Sequence, residues 1–437
     1  MTERMTEPRM TERRSSTSAL SIGGKILMIA LSFSLPIGVL VYLMVDSINS
    51  NITVAQAEIA GNAYLRPLEA ALQRVQDHQW ASWQCEQSHA DCQQQLGPIA
   101  GEVNAAMSRI AAADARYGQL LKFTPEELTK RGRQHQTAAT VAGEWKEMAA
   151  APAPADKYSH LIADLRTMIT HAGDTSGLIL DPDLDSYYLM DATLIALPEI
   201  EDRMASAERQ AAVAQAGKPN DTARLDLAVN AAELQSDREH VSASSHTALN
   251  EDANFYGVSP TLAAHVQPAL DRMEQMAKRN EELVRKVSRG EAVEADELAS
   301  AARSSRQAAF EYWSIAVDEL DHLLDRRIAH YAGARASALA WSGLSLLAAS
   351  LLAFFFARSI IVPLRGLMRS LGPGATLLGQ CVSRISEVSQ SKTVDPLEAQ
   401  IICGELDAHA ASMRKAVLEL AQHVSGAAEN AVSEVTG

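Results

Sequence analysis

The residues best suited to chemistry lie in one stretch, GDTSGLILDPDLDSYYLMDATLIALPEIEDR, residues 173–203. Asp181, Asp183 and Asp185 form a D-x-D-x-D string that invites a calcium-loop reading. Such a loop needs Gly at its sixth position for a sharp turn and a bidentate Glu at its twelfth, where this chain has Ser186 and Ala192. The string reads instead as a helix start. Asp181 is then the N-cap and Pro182 the first helical residue, with Asp183 and Asp185 in the favourable field of the helix dipole. The alternative is that Asp181, Asp183 and Asp185, together with Tyr187, Tyr188 and Asp191, contact a ligand, although tyrosines at a helix joint more often serve packing.

A second constellation is His78, Cys85, His89 and Cys92, spaced so that all four fall on one helical stripe. Four ligands on one straight helix cannot surround an ion tetrahedrally, and no CxxCH haem-attachment motif occurs, so no metal site and no cofactor is expected. Cys85 and Cys92 are candidates for a structural disulfide. On a continuous helix seven residues rise about 10.5 Å, beyond the roughly 7 Å that separates bridged Cα atoms, so the bridge requires the helix to end near Cys85. Nowhere do a nucleophile, a base and an orienting group assemble, so no catalytic residue is named and the chain is not expected to be an enzyme.

The elements that hold these residues follow from composition. Of 437 residues 47% are hydrophobic but only 5% aromatic, and much of the apolar content is Ala and Leu, which favours an all-α protein packed through small side chains. With 39 Lys+Arg against 54 Asp+Glu the net charge is −15, without the basic footprint of a nucleic-acid binder.

Residues 26–45 and 336–357 carry no charge, and each is long enough to cross a hydrocarbon core of about 30 Å as a helix. The first exceeds the apolar core of a signal peptide and lacks a small-residue cleavage site at Tyr42 to Val45. Arg9, Arg13, Arg14 and Lys25 precede it, while Arg358, Arg365 and Arg369 follow the second, which places both termini in the cytoplasm. Arg326, Arg327 and Arg335 on the other flank argue weakly against this. The expected division is a cytoplasmic tail (1–25), a span (26–45), an extracytoplasmic sensor region (46–335), a second span (336–357), a relay region (358–420) and a short end (421–437).

Within 46–335, Leu65, Leu68, Leu72 and Val75 recur at helical spacing, so the first span should continue outward as one long helix, kinked near Pro67. Leu298, Phe310, Trp313, Ile315, Val317, Leu320, Leu323, Leu324 and Ile328 mark the returning helix. Breakers at Gly97-Pro98, Pro152 to Pro154, Gly217 to Pro219 and Gly257 to Pro260 predict helices near 99–122, 126–149, 157–179, 183–216, 220–253 and 261–288. That pattern suits a four-helix bundle, or two stacked end to end.

The string ILDPDLDSYYLMD, residues 179–191, resembles the sensor regions of bacterial methyl-accepting chemotaxis proteins and related transmembrane histidine kinases. FFFARSIIVPLRGLMRSL, residues 354–371, resembles the exit of a chemoreceptor's second span into a HAMP relay domain, with Pro363-Leu364 matching its opening motif. CGELDAHAASMRKAVLEL, residues 403–420, is similar to that domain's second helix through Glu405, Leu406 and Met413. Leu406, Met413 and Leu420 also form a heptad stripe fit for a parallel coiled coil. The HAMP-like region is degenerate, since Gly372-Pro373-Gly374 should stop its first helix, and the kinase-controlling hairpin is expected to be lacking. The resemblance implies a homodimeric receptor of the bacterial inner membrane, alone or in a mixed receptor array. A small solute or partner protein would be the signal and kinase-coupling proteins the downstream partners. Two other readings stand beside it: the sensory part of a histidine kinase or cyclic-nucleotide enzyme whose output lies elsewhere, and an anchored protein that only pairs with full-length receptors.

Overall fold

The computed structural model describes residues 22–88, 93–149, 153–216 and 221–390, with scattered helical positions between 400 and 422. Among the described residues every regular element is helical and there is no strand. In order they are α1 (Ile22–Ser88), α2 (Gln93–Tyr117), α3 (Pro125–Lys130), α4 (Ala138–Met148), α5 (Ala155–Ser176), α6 (Leu184–Met190), α7 (Leu197–Ala216), α8 (Asp221–Glu251), α9 (Leu262–Ser288) and α10 (Ala295–Gln390). The chain divides into two compact units, Val45–Ala336 and the combination of Met1–Met44 with Ser337–Gly437.

The larger unit is built on the stripes read from sequence. Leu65, Leu68, Leu72 and Val75 of α1 are fully buried with Tyr64, as are Trp313, Val317, Leu320 and Leu324 of α10, and all join one continuous apolar core with α2, α4, α5 and α7 to α9. Ile315 packs against that core half-buried, and Ile328 is half-buried too. The smaller unit inverts the pattern. Phe33, Leu35, Trp341 and Phe355 are each more than 60% exposed, which suits side chains meant for a surrounding apolar medium. Two helices are long and apolar enough to cross a membrane, with their apolar windows in α1 and α10.

Several expected boundaries shift. Gly97-Pro98 does not break the chain: α2 runs from Gln93 through Pro98. Likewise α10 continues through Gly372-Pro373-Gly374 to Gln390, where a stop was expected. A proline removes one backbone donor, while the ladder on either side of it can persist. The single helix expected over 126–149 is instead two. After α3, the Arg133 and Gly132 N–H groups bond back to the Leu128 and Thr129 carbonyls with Gly132 at φ +66°, a Schellman stop that needs a left-handed residue. Thr137 then caps α4 by accepting from the Thr140 N–H at 3.0 Å. Between α6 and α7 the stretch Asp191–Ala196 is a π-helical segment, with Thr193 Oγ1 donating to the Leu189 and Met190 carbonyls.

Candidate functional site: an acidic cluster on Arg327

The D-x-D-x-D string does begin a helix, two residues later than expected, so Pro182 precedes it and Leu184 is its first residue. Asp183, not Asp181, occupies the N-cap position of α6, and its side chain makes no capping bond. Asp181 Oδ1 instead accepts from the Asp183 N–H at 3.0 Å, closing a local turn that aims both carboxylates inward. They are drawn away from the cap by Arg327 of α10. Its Nη1 donates to Glu58 Oε2 of α1 at 2.9 Å, and its Nη2 donates to Asp181 Oδ1 and, at 2.7 Å, to Ser186 Oγ. Arg327 Nε lies 2.5 Å from Asp183 Oδ2 as an ion pair, without the alignment of a hydrogen bond. All four charged side chains, and Asp185 beside them, are buried.

Glycine lets the helices close around this cluster. A Cβ at Gly61 of α1 would sit 2.5 Å from Ser176 Oγ at the end of α5, so only glycine permits that approach three residues after Glu58. Gly177, at φ +92°, then turns the chain out of α5 toward Asp181. On the far side Arg326 anchors the loop after α8, pairing with Asp252 at 3.2 Å and donating to the carbonyls of Tyr256 and Gly257. Tyr256 is held there at φ +58°, costly for a bulky residue.

The electrostatics are unbalanced: Glu58, Asp181, Asp183 and Asp185 surround one guanidinium. Burial, then Asp181 and Asp183 acting against Arg327, pushes the Glu58 carboxyl up to about 7. Burial raises Asp185 to about 6 and lifts Asp181 as well, the latter opposed by Arg327. Burial works against the charge on Arg327, yet Asp181, Glu58 and Asp183 together hold its pKa above the ordinary value. Glu58 Oε1 and Asp181 Oδ2 make no hydrogen bond, which leaves room for a proton. The arrangement can take up and release a proton near neutrality and so change the charge clamped to α10.

The other sequence candidates are spread around it. Tyr187 and Tyr188 are half-buried against the core, their rings edge-to-face at 5.3 Å. Asp191 opens the π-helical segment and accepts from His240 Nε2 at 2.8 Å and Ser244 Oγ at 2.6 Å of α8. Cys85 is buried with its Sγ 3.6 Å from Gln95 Oε1, and its proposed partner Cys92 lies outside the described residues. Pro363 is an exposed residue within α10, which also contains Leu364. Glu405 is exposed and Met413 half-buried at helical positions, and Leu406 lies outside the described residues.

Glu58 and Arg327 were missed as partners, although each carried a signal. Glu58 stands seven residues before Leu65 and Arg327 seven after Leu320, so each puts a charge on an apolar stripe. Also unforeseen is a cleft of about 560 Å³ beside the π-helical segment, lined by Arg133, Arg166, Thr170, Ile179, Ile195 and Glu199. Its size suits a small solute. Arg166 pairs there with Glu199 and Asp202, and Arg133 with Asp174. Compared with known proteins, the chain matches no family model, no curated protein and no solved structure.

Proposed function

We propose that this chain is a sensory receptor of the bacterial inner membrane, of chemoreceptor type. Residues 26–45 and 336–357 cross the bilayer, both termini are cytoplasmic, and 46–335 form a periplasmic helical bundle. The observation that carries this reading is the continuity of α10. One helix bears Arg327 in the buried acidic cluster, then the exposed apolar run from Leu339 to Phe356, then Pro363, without interruption. A solute in the cleft beside Asp191–Ala196, or a proton on Glu58, would change the forces on the α6 turn and on Arg327. Packed interfaces are bistable, so such a bias would pass along α10 as a small helix displacement. The segments around Pro363-Leu364 and Glu405 to Met413 would receive it, in a homodimer or mixed array coupled to kinases.

Two measurements test this. Fusions of a periplasm-active phosphatase and of a fluorescent protein at exposed Leu120 and after residue 437 should report opposite sides of the membrane. Purification of the intact chain from membranes should bring kinase-coupling proteins or other receptors with it. Fusions reporting the same side would overturn the topology, and a chain that purifies without such partners would count against the chemoreceptor reading.

A further inference from the structure

We propose that Glu144, His160 and Asp164 form a binding site for a divalent transition-metal ion, with zinc the best-suited occupant. His160 and Asp164 stand one turn apart on α5 and so share a face, and Glu144 reaches them from α4. His160 Nδ1 lies 3.3 Å from Glu144 Oε2 and 3.6 Å from Asp164 Oδ2, and the three donor atoms all fall within 4.8 Å of one another. Bonds of about 2.0–2.1 Å to a tetrahedral ion put neighbouring donors about 3.3–3.4 Å apart. The two histidine distances bracket that edge, and the longer one exceeds a hydrogen bond.

A second observation points to a ligand. Asp164 is 6% exposed, and its Oδ2 makes no hydrogen bond although it faces the imidazole. Its other oxygen is held by Gln136 Nε2 at 2.5 Å, the arrangement by which an outer partner orients a metal-binding carboxylate. A buried carboxylate oxygen with no donor is costly, and a cation would meet that cost. Both helices are fixed close by. Trp145, next to Glu144, donates to Asn104 Oδ1 at 2.8 Å, and Tyr158 bonds His78 Nδ1 at 2.7 Å. The donors therefore stand on packed elements rather than on a mobile loop. The ring of His160 is exposed, which gives an ion its route in and leaves the remaining coordination position to water. One imidazole and two carboxylates favour zinc, cobalt or nickel over calcium and magnesium, which take all-oxygen sets.

The test uses the full-length chain in detergent, without a histidine tag and stripped of metal by a chelator. Zinc alone is titrated by calorimetry, and thermal unfolding is followed with and without it. The wild-type chain should bind one more zinc equivalent than His160→Ala, and zinc should raise its melting temperature more than that of the variant. Because His160 is exposed, His160→Ala should melt like the wild type when zinc is absent. Glu144→Gln keeps size and shape and serves as the second variant, with an expected loss of at least about tenfold in affinity. Equal zinc stoichiometry and affinity in the wild type and both variants would overturn the site, as would a wild type that takes up no zinc.

Discussion

Two buried arginines on α10, Arg327 and Arg306, face acidic neighbours in opposite ways. Arg327 directly contacts three carboxylates, those of Glu58, Asp181 and Asp183. Arg306 reaches Glu208 at 3.1 Å and Asp77 at 3.2 Å, and leaves Glu201 with both oxygens lacking a hydrogen bond. Burial pushes Glu201 well above the ordinary carboxylate range despite Arg306, and burial raises Glu69, beside it on α1, to about 8. The first cluster is a clamp in which charge meets charge. The second holds two ionic contacts and, beside them, Glu201 and Glu69, whose protons burial holds tightly. The same residue types thus place three carboxylates directly on a guanidinium in one cluster, and in the other leave Glu201 beside it without a hydrogen bond, its charge disfavoured by burial.

Arg327→Met should break the clamp most severely. It strands Glu58, Asp181 and Asp183 without their countercharge, and unfolding of the full chain in detergent should lose about 3–5 kcal/mol, as for other broken buried pairs. A loss below about 1 kcal/mol would mean that the acids relax without the arginine.

Acidity should act on both clusters in the same direction. Glu58 at about 7, Asp185 at about 6 and Glu69 at about 8 all hold their protons more tightly in the fold than at their ordinary values of 4.5, 3.8 and 4.5. Between those limits the folded chain carries more bound protons than the unfolded one, so stability falls as pH rises. Denaturant unfolding should therefore show a stability loss of several kcal/mol from pH 5 to pH 8, of which about 2–3 kcal/mol comes from Glu58 and should be abolished by Glu58→Gln. A stability that climbs across this window would contradict the protonated state of these acids.

Smaller effects separate the second cluster from the clamp. Arg306→Met removes an arginine that touches two carboxylates rather than three, one of them the partly exposed Asp77, and the cost should be about 1–2 kcal/mol, less than half that at Arg327. Equal losses at the two arginines would erase the distinction. Smallest of all, Glu201→Gln replaces a neutral acid by a neutral amide of like shape, and melting at pH 6 should move by less than about 1 kcal/mol. A large loss there would show that Glu201 is ionised and paired.

The helical class and much of the core were legible in the chain itself. Leu65, Leu68, Leu72 and Val75 face inward as their spacing requires, and α8 and α9 begin and end within a few residues of the breakers that predicted them. Proline was a poorer guide. Pro98 and Pro373 were read as stops and lie inside helices, because neighbouring hydrogen bonds and packing can outweigh one missing donor. The aspartate string was found as a motif, but its two readings were a local helix start and a ligand contact, neither of which supplied its partner Arg327 on a distant helix.

What the sequence determined by itself is local: apolar runs long enough for a bilayer, periodic stripes that must be buried, and a helix start at an Asp-Pro-Asp turn. Each depends on residues within a few turns of one another, so spacing alone carries the information. Only the tertiary structure decided what the acids do. Arg327 stands 146 residues from Asp181 and 269 from Glu58, and His160 stands 16 from Glu144. Which charge meets which depends on helix packing across the core. That packing turns two misplaced charges on apolar stripes into a clamp, and leaves Glu201 near Arg306 without a hydrogen bond to either oxygen.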